Sequence, residues 1–284
     1  MGKWGADAPA DAERATKLRP MILASGSATG AVLSLAAAAA YAVPAAAAAR
    51  LSQRAARWAL VVAWVLHALV LGWTLLGDTP RFGFAPALSV TAWLVLTVYA
   101  VERELFPQLQ ARWALAGLGS LAVLLALVFP GAPMHPSTPL LPLHLALGVA
   151  SYGLFAAAVV HAWLMRRTEQ MMRQAAEPQA GLPLLTLERL TFRFAAAGFV
   201  LLSATLLAGL LFGETLYGRA WRWDHKTIFS VLAWVAFALL LLGRARFGWR
   251  GRTAVRVLYT GSLLLLLAYV GSRFVMEVVL GQVT

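Results

Sequence analysis

The sequence contains no cysteine, and only 13% of its 284 residues are charged. Without thiols the chain cannot form disulfides, hold a metal through thiolates or use a cysteine nucleophile. The charged fraction is about half that of an ordinary soluble domain, and 61% of the residues are hydrophobic, which excludes a water-soluble globule. Acidic residues are scarce too, 12 against 24 basic ones. In a membrane protein such a basic excess lies in the loops, so we expect no nucleic-acid partner.

Apolar runs of membrane-spanning length occupy most of the chain. Since a span needs roughly 20 apolar residues and must satisfy its backbone hydrogen bonds internally, each run is predicted to be a helix. The predicted fold class is an all-α, polytopic integral membrane helical bundle with about eight transmembrane helices. The runs lie at 21–43, 58–76, 84–101, 113–129, 140–165, 194–213, 227–243 and 254–272.

Arginine residues are unevenly distributed among the loops. They concentrate after the first, third, fifth and seventh spans, for example at Arg50, Arg166 and Arg244. By the positive-inside rule these loops face the cytoplasm, so both termini and the remaining loops face outward. The longest connection, from about 166 to 193, is polar, and Pro183 favours a short surface helix from Leu184 onward.

Residues 1–20 fit this topology poorly, because their basic side chains would have to be exported. Two interpretations are open. The segment could be an N-terminal extension upstream of initiation at Met21, or residues 17–19 could be the basic start of a signal peptide. We favour initiation at Met21, because the first span exceeds the usual apolar core of a signal peptide. The transmembrane domain then covers 21–284.

Histidines in or near the apolar runs are candidates for chemistry. His67 lies near the middle of the second span, and His144 lies near the outer start of the fifth. An ionisable group inside a bilayer marks a functional site by default, and an imidazole could ligate haem iron or relay protons. The alternative is an interhelical hydrogen bond. We interpret His161, beside two arginines, as interfacial, and His135, on an outer loop, as solvated.

The outer loop before the seventh span, residues 217–227, is the most informative segment. Trp221 and Trp223 alternate there with cations and precede Asp224 and His225. Paired tryptophans are typical of the membrane interface, yet aromatic faces and cations are also what a porphyrin and its propionates require. Asp224 could cap the seventh helix or hold an arginine in place. The cations of the segment are Arg219, Arg222 and Lys226.

This order of residues resembles a known family. Trp221, Trp223, Asp224 and Lys226, with Trp234 further on, are similar to the tryptophan-rich WWD loop of the cytochrome c assembly (CcsA/CcmC-like) membrane protein superfamily. His144 and Tyr152 repeat that family's spacing between an axial histidine and a tyrosine. The chain resembles most the YpjD/HemX-like branch, which also has a histidine in its second span, matched here by His67. Further similar strings are 183–189, 248–252 and 269–273.

The resemblance implies a bacterial inner-membrane protein that binds haem and takes part in cytochrome c assembly or haem trafficking. The implied site holds a b-type haem near the outer face, with His67 and His144 as axial ligands and His225 as the alternative. The implied partners are the lipid bilayer and an apocytochrome or other cytochrome assembly proteins. The remaining implied cofactor-binding residues are Trp221, Trp223, Asp224, Arg81, Arg219, Arg222 and Lys226.

Two departures from the family pattern limit this expectation. Gly271-Ser272-Arg273 and Gly243-Arg244 stand where the full haem synthases have further histidines. We therefore expect no enzymatic activity, and no ligation of haem to apocytochrome thiols by this protein alone. The competing hypothesis is a haem-free polytopic scaffold that stabilises another membrane protein, since small residues suited to close helix packing recur, as at 148–151 and 195–198.

Overall fold

A computed structural model describes residues 28–47, 50–77, 79–105, 112–134, 138, 140–173, 183–213 and 223–280 of the chain. Within these ranges eight helices follow the order of the predicted spans, which confirms the all-α bundle. Seven are long and apolar enough to cross a membrane, and the fourth contains the shorter apolar helix Ala114–Val128. The helices are α1 (Ala28–Ala46), α2 (Gln53–Leu76), α3 (Phe84–Leu105), α4 (Arg112–Val128), α5 (Leu140–Arg173), α6 (Leu184–Leu211), α7 (His225–Phe247) and α8 (Gly251–Val279). The predicted extension at 1–20 lies outside the described residues.

The predicted surface helix from Leu184 onward is wrong. Leu184 begins α6 itself, and the helix runs without a break to Leu211. Leu187, Thr191 and Ala195 are buried at a spacing of four, so this first part of α6 already packs against the bundle. The polar connection is correspondingly shorter than predicted, because α5 also continues to Arg173.

A two-stranded antiparallel sheet joins the loop after α2 to the loop after α4, with α3 and α4 between its strands along the chain. Strand β1 (Arg81–Phe82) pairs with β2 (Ala132–Pro133), with Phe82 opposite Ala132. The pairing extends by one hydrogen bond, in which the Met134 N–H donates to the Pro80 carbonyl over 2.7 Å. Strands of two residues carry no detectable alternation, so the sequence did not predict this sheet. The β1–β2 sheet places both loops at one end of the bundle, as the predicted topology requires.

Gly131, directly before β2, lets the chain turn closely against β1. Its φ is 76°, in the left-handed region, and a Cβ there would lie 2.6 Å from the carbonyl carbon of Phe82. We expect Gly131→Ala to lower the free energy of unfolding by about 1–3 kcal/mol, measured by titration with SDS in mild detergent micelles. The control is Gly117→Ala in α4, where a Cβ would meet nothing within 4 Å. Equal unfolding midpoints for the two variants would contradict this explanation.

Ion pairs gather at the opposite end of the bundle. Arg57 pairs with Glu104 at 2.6 Å, between the ends of α2 and α3, and Arg244 pairs with Glu188 at 2.6 Å, between α7 and α6. The loops that contribute these residues are those that the positive-inside rule assigns to the cytoplasm. The β1–β2 sheet therefore lies at the end of the bundle that is predicted to face outward.

One buried apolar core takes residues from all eight helices, and an aromatic pair lies within it. Phe155 of α5 and Phe237 of α7 are fully buried and stack with their ring centroids 3.6 Å apart. Gly261 of α8 lets the backbone approach this pair, because a Cβ there would lie 2.8 Å from the Phe237 ring. Large apolar side chains such as Leu69, Val200 and Leu239 remain exposed on the outside of the helices, as expected for surfaces that contact lipid.

Candidate functional site

A cavity of about 530 Å³ opens among the helices at the end of the bundle that carries the β1–β2 sheet. This volume lies within the usual range of small-molecule sites, roughly 300–1,000 Å³. Its wall is formed by side chains from the β1–β2 sheet and from α3, α5, α6, α7 and α8. Most of the wall is apolar, with Phe82, Leu145, Val149, Leu202, Leu206 and Leu265 among its members. Such a wall suits a largely apolar ligand, and the polar wall residues can orient it.

His144 is the imidazole of this wall. It lies in the second turn of α5, two residues after Pro142, and is half-buried. Gly148 and Tyr152 follow at a spacing of four, so the three residues share one helix face, and all of them line the cavity. The structure thus places one of the two predicted axial ligands at a cavity of ligand size.

Asp224 and Lys226 form the wall at the start of α7. The Asp224 carboxylate accepts the Thr227 N–H over 2.9 Å and caps the helix, as one of the two interpretations predicted. The nearby Arg219 and Arg222 lie outside the described residues, so an arginine partner stays a prediction. Partial burial alone would raise the pKa of Asp224. The hydrogen bonds from Thr227 and the nearby Lys226 and His225 outweigh burial and lower that pKa below its ordinary value. Asp224 is therefore ionised and holds the first turn of α7 against the cavity.

Two π-helical segments shape the part of α8 that lines the cavity. They cover Leu267–Gly271 and Val275–Val279 and flank Ser272–Phe274. Each π turn changes the direction in which the following side chains point, and such turns are frequent at functional sites. Tyr269 and Arg273 reach the cavity from this region.

Two contacts fix this part of α8 in place. The Tyr152 hydroxyl donates to the Leu265 carbonyl and so ties α5 to α8. Glu277 lies 3.7 Å from the Arg273 guanidinium and accepts the N–H of Phe84 at the start of α3. Lys226 also interacts electrostatically with Glu277. Lys226 and Arg273, which both line the cavity, therefore share Glu277 as an electrostatic partner.

The structure separates His67 from the cavity. His67 is fully buried and is not among the residues that line it. Its Nε2 is hydrogen-bonded to the Ser89 hydroxyl at 2.8 Å, and its Nδ1 is hydrogen-bonded to the Tyr41 hydroxyl at 3.2 Å. Both ring nitrogens are thus occupied by neighbouring helices. The predicted axial pair of His67 and His144 does not form here, and His67 makes the interhelical hydrogen bonds of the alternative interpretation.

Other predicted site residues lie at the edge of the cavity or beyond the described chain. Arg81 donates from Nη1 to the Gly131 carbonyl over 3.3 Å and so links β1 to the residue before β2. Trp223 is 69% exposed, and His225, the first residue of α7, is exposed as well; neither lines the cavity. Arg219, Trp221, Arg222 and His135 lie outside the described residues, so their predicted roles stay predictions.

The interfacial interpretation of His161 is wrong. His161 and Glu102 are almost completely buried, and His161 Nε2 lies 2.8 Å from Glu102 Oε2. His161 Nδ1 lies 2.7 Å from the Ala157 carbonyl, which can only accept, so Nδ1 carries a proton. The pair therefore shares a further proton between Nε2 and the carboxylate and joins α3 to α5 away from lipid.

Met134 and Arg273 are cavity residues that the sequence interpretation missed. Arg273 carried a usable signal, because it directly follows the uncharged apolar run 257–272 and has Glu277 one turn further on. Met134 carried none, since its place at the cavity depends on the pairing of β1 with β2. Within the described part of the chain, no group of three or more His, Asp or Glu residues could hold a metal ion. A metal that brings its own in-plane ligands, as haem does, needs only one or two protein donors.

Fold and cavity together define a class: a polytopic helical membrane protein with a ligand-sized cavity at one end of its helix bundle. The chain belongs to the cytochrome c assembly protein family, whose model matches residues 55–280. That family is associated with haem handling. This membership and the transmembrane bundle identify a multi-pass protein of the bacterial inner membrane.

Three relatives illustrate the similarity. An inner membrane protein of Escherichia coli (strain K12), YpjD, is 30% identical over 229 residues, which are 77% of this chain and 85% of that protein. An uncharacterised 28.8 kDa protein of Azospirillum brasilense is 38% identical over 144 residues, 49% of this chain and 52% of its own. The cytochrome c biogenesis protein CcsA of Prochlorococcus marinus is 34% identical over 88 residues, 31% of this chain and 28% of its own. No solved structure matches the chain significantly.

Proposed function

We propose that the cavity binds a b-type haem, with His144 as an axial ligand, and that the protein handles this haem at the outer face of the inner membrane during cytochrome c assembly or haem trafficking. The observation that carries the proposal is the position of His144, an imidazole on the wall of a mostly apolar cavity of about 530 Å³. The donor set fits the group, because haem needs an axial nitrogen, an apolar enclosure and cations for its carboxylates.

The remaining wall residues have separate roles in this proposal. Leu145, Val149 and Leu206 would contact the macrocycle. Lys226 and Arg273, the two cations of the described wall, would pair with the propionates as well as with Glu277. Binding is non-covalent on the side of this protein, since the chain has no cysteine to form thioether bonds. Bound haem supplies an iron centre that can carry an electron or accept an exchangeable ligand.

The protein acts in this proposal as a haem-binding partner without catalytic residues. The protein from Prochlorococcus marinus is named as a cytochrome c biogenesis protein, which supports an apocytochrome or another assembly protein as the recipient of the haem. The competing scaffold function is supported by His67 and His161, which both serve helix packing.

Titration of the detergent-purified full chain with haemin tests the proposal. We expect a Soret band that saturates at one haem per chain, and His144→Ala should weaken haem affinity by at least about tenfold. The matched control is His225→Ala, because this histidine is exposed and does not line the cavity. The control should bind haem as the wild type does. Identical titrations for both variants, or a stoichiometric protein partner without haem, would reject the proposal and favour the scaffold.

A further inference from the structure

A second good ligand for haem iron lies on the wall of the same cavity. Met134 follows β2 directly, and its side chain lines the cavity together with His144. Its backbone is tied to the segment before β1, because its N–H donates to the Pro80 carbonyl over 2.7 Å. The thioether is therefore presented by a fixed strand end rather than by a free loop.

We propose that the sulfur of Met134 is the second axial ligand, so that the haem iron is held by one histidine and one methionine. This inference rests on the proposed haem function of the cavity and deepens it. A neutral thioether and a neutral imidazole are a known axial pair for haem iron. Both donors bind iron as neutral groups, so ligation leaves no buried charge on either side chain, which suits a wall made mostly of apolar side chains.

The other donors that line the described part of the cavity are less suitable. Tyr152 and Tyr269 would each have to ligate as a phenolate, and the Tyr152 hydroxyl donates to the Leu265 carbonyl. Lys226 is an ammonium that would have to lose its proton, and it interacts with the carboxylate of Glu277. Thr205 donates to the Leu201 carbonyl over 2.8 Å. Among the described wall residues, Met134 is thus the donor besides His144 that can ligate haem iron as a neutral group.

The identity of the second ligand predicts a chemical property of the bound haem. A soft thioether favours ferrous over ferric iron, and methionine ligation raises the reduction potential of a haem. Haem held by His144 and Met134 would therefore stay reduced at potentials at which a bis-histidine haem is oxidised. A protein that receives haem from this site would take it in the ferrous state.

Spectroscopy and redox titration of the full chain loaded with haemin test this inference. We expect the wild type to be low-spin with a thioether-to-iron charge-transfer band in its ferric state. Met134→Leu, which preserves side-chain volume, should abolish that band and lower the midpoint potential. Met134→His should restore the low-spin state at a potential below that of the wild type. The matched control is Met165→Leu, a buried methionine of α5 outside the cavity, which should change neither property.

The outcomes separate this inference from the proposed function. A Soret band that depends on His144 but has the same spin state and potential in Met134→Leu would overturn the methionine ligand alone. So would a low-spin spectrum that is lost in His135→Ala and kept in Met134→Leu, since the adjacent imidazole would then be the ligand. A wild-type chain that binds no haem would overturn both proposals.

Discussion

Glu102→Ala is expected to lower the free energy of unfolding by about 3–5 kcal/mol. The substitution leaves the His161 imidazole buried without its partner, while its Nδ1 remains bonded to the Ala157 carbonyl. The two side chains are only 4% and 7% exposed, so water cannot replace the lost carboxylate. The contact also joins α3 to α5, and its loss should loosen the helix that carries His144.

A comparison with two further variants makes this prediction specific. Glu102→Gln should cost much less, because the amide can donate to Nε2 of a neutral imidazole. Glu104→Ala, two residues away on α3, removes a partner of Arg57 that is 63% exposed and should change stability by about 0–1 kcal/mol. Unfolding in SDS measures all three. Equal losses for Glu102→Ala and Glu104→Ala would contradict the buried-pair explanation.

His67→Leu should produce the second large loss of stability, and it should do so without removing haem binding. The variant leaves the hydroxyls of Tyr41 and Ser89 buried without their common partner, at about 1–3 kcal/mol for each group. His67 lies outside the cavity wall, so the Soret band of the folded variant should match that of the wild type.

Removal of the stranded hydroxyls provides the control for this prediction. In the background of His67→Leu, the additional changes Tyr41→Phe and Ser89→Ala should recover part of the lost stability, because the three polar groups form one network. Haemin titration of the same variants tests the cofactor role. A His67→Leu protein that is as stable as the wild type but lacks the Soret band would restore His67 as an axial ligand.

The sequence was sufficient to predict features that depend on local composition. Apolar runs identified the eight helices. The arginine distribution predicted which loops lie together, and the β1–β2 sheet and the ion pairs at the opposite end confirm this grouping. Asp224 was recognised as a possible cap because capping depends on residues within one turn. His144 and Lys226, which were predicted to bind a cofactor, both line the cavity, and their binding of a cofactor stays a prediction.

The tertiary structure decided the features that depend on how helices rotate and pack. Hydropathy measures whether a side chain can lie in an apolar region, but it cannot distinguish lipid, a neighbouring helix and an internal cavity. His67 and His161 therefore looked like an iron ligand and an interfacial residue, although both are hydrogen-bonded between helices.

By itself, then, the sequence determined that this chain is an eight-helix membrane protein of the cytochrome c assembly family, because span length, loop charge and motif order are properties of the linear chain. Only the tertiary structure decided which polar side chains share one cavity. The cavity brings together His144 of α5, Met134 after β2 and Arg273 of α8. Their proximity depends on strand pairing and π-helical turns that no local pattern encodes.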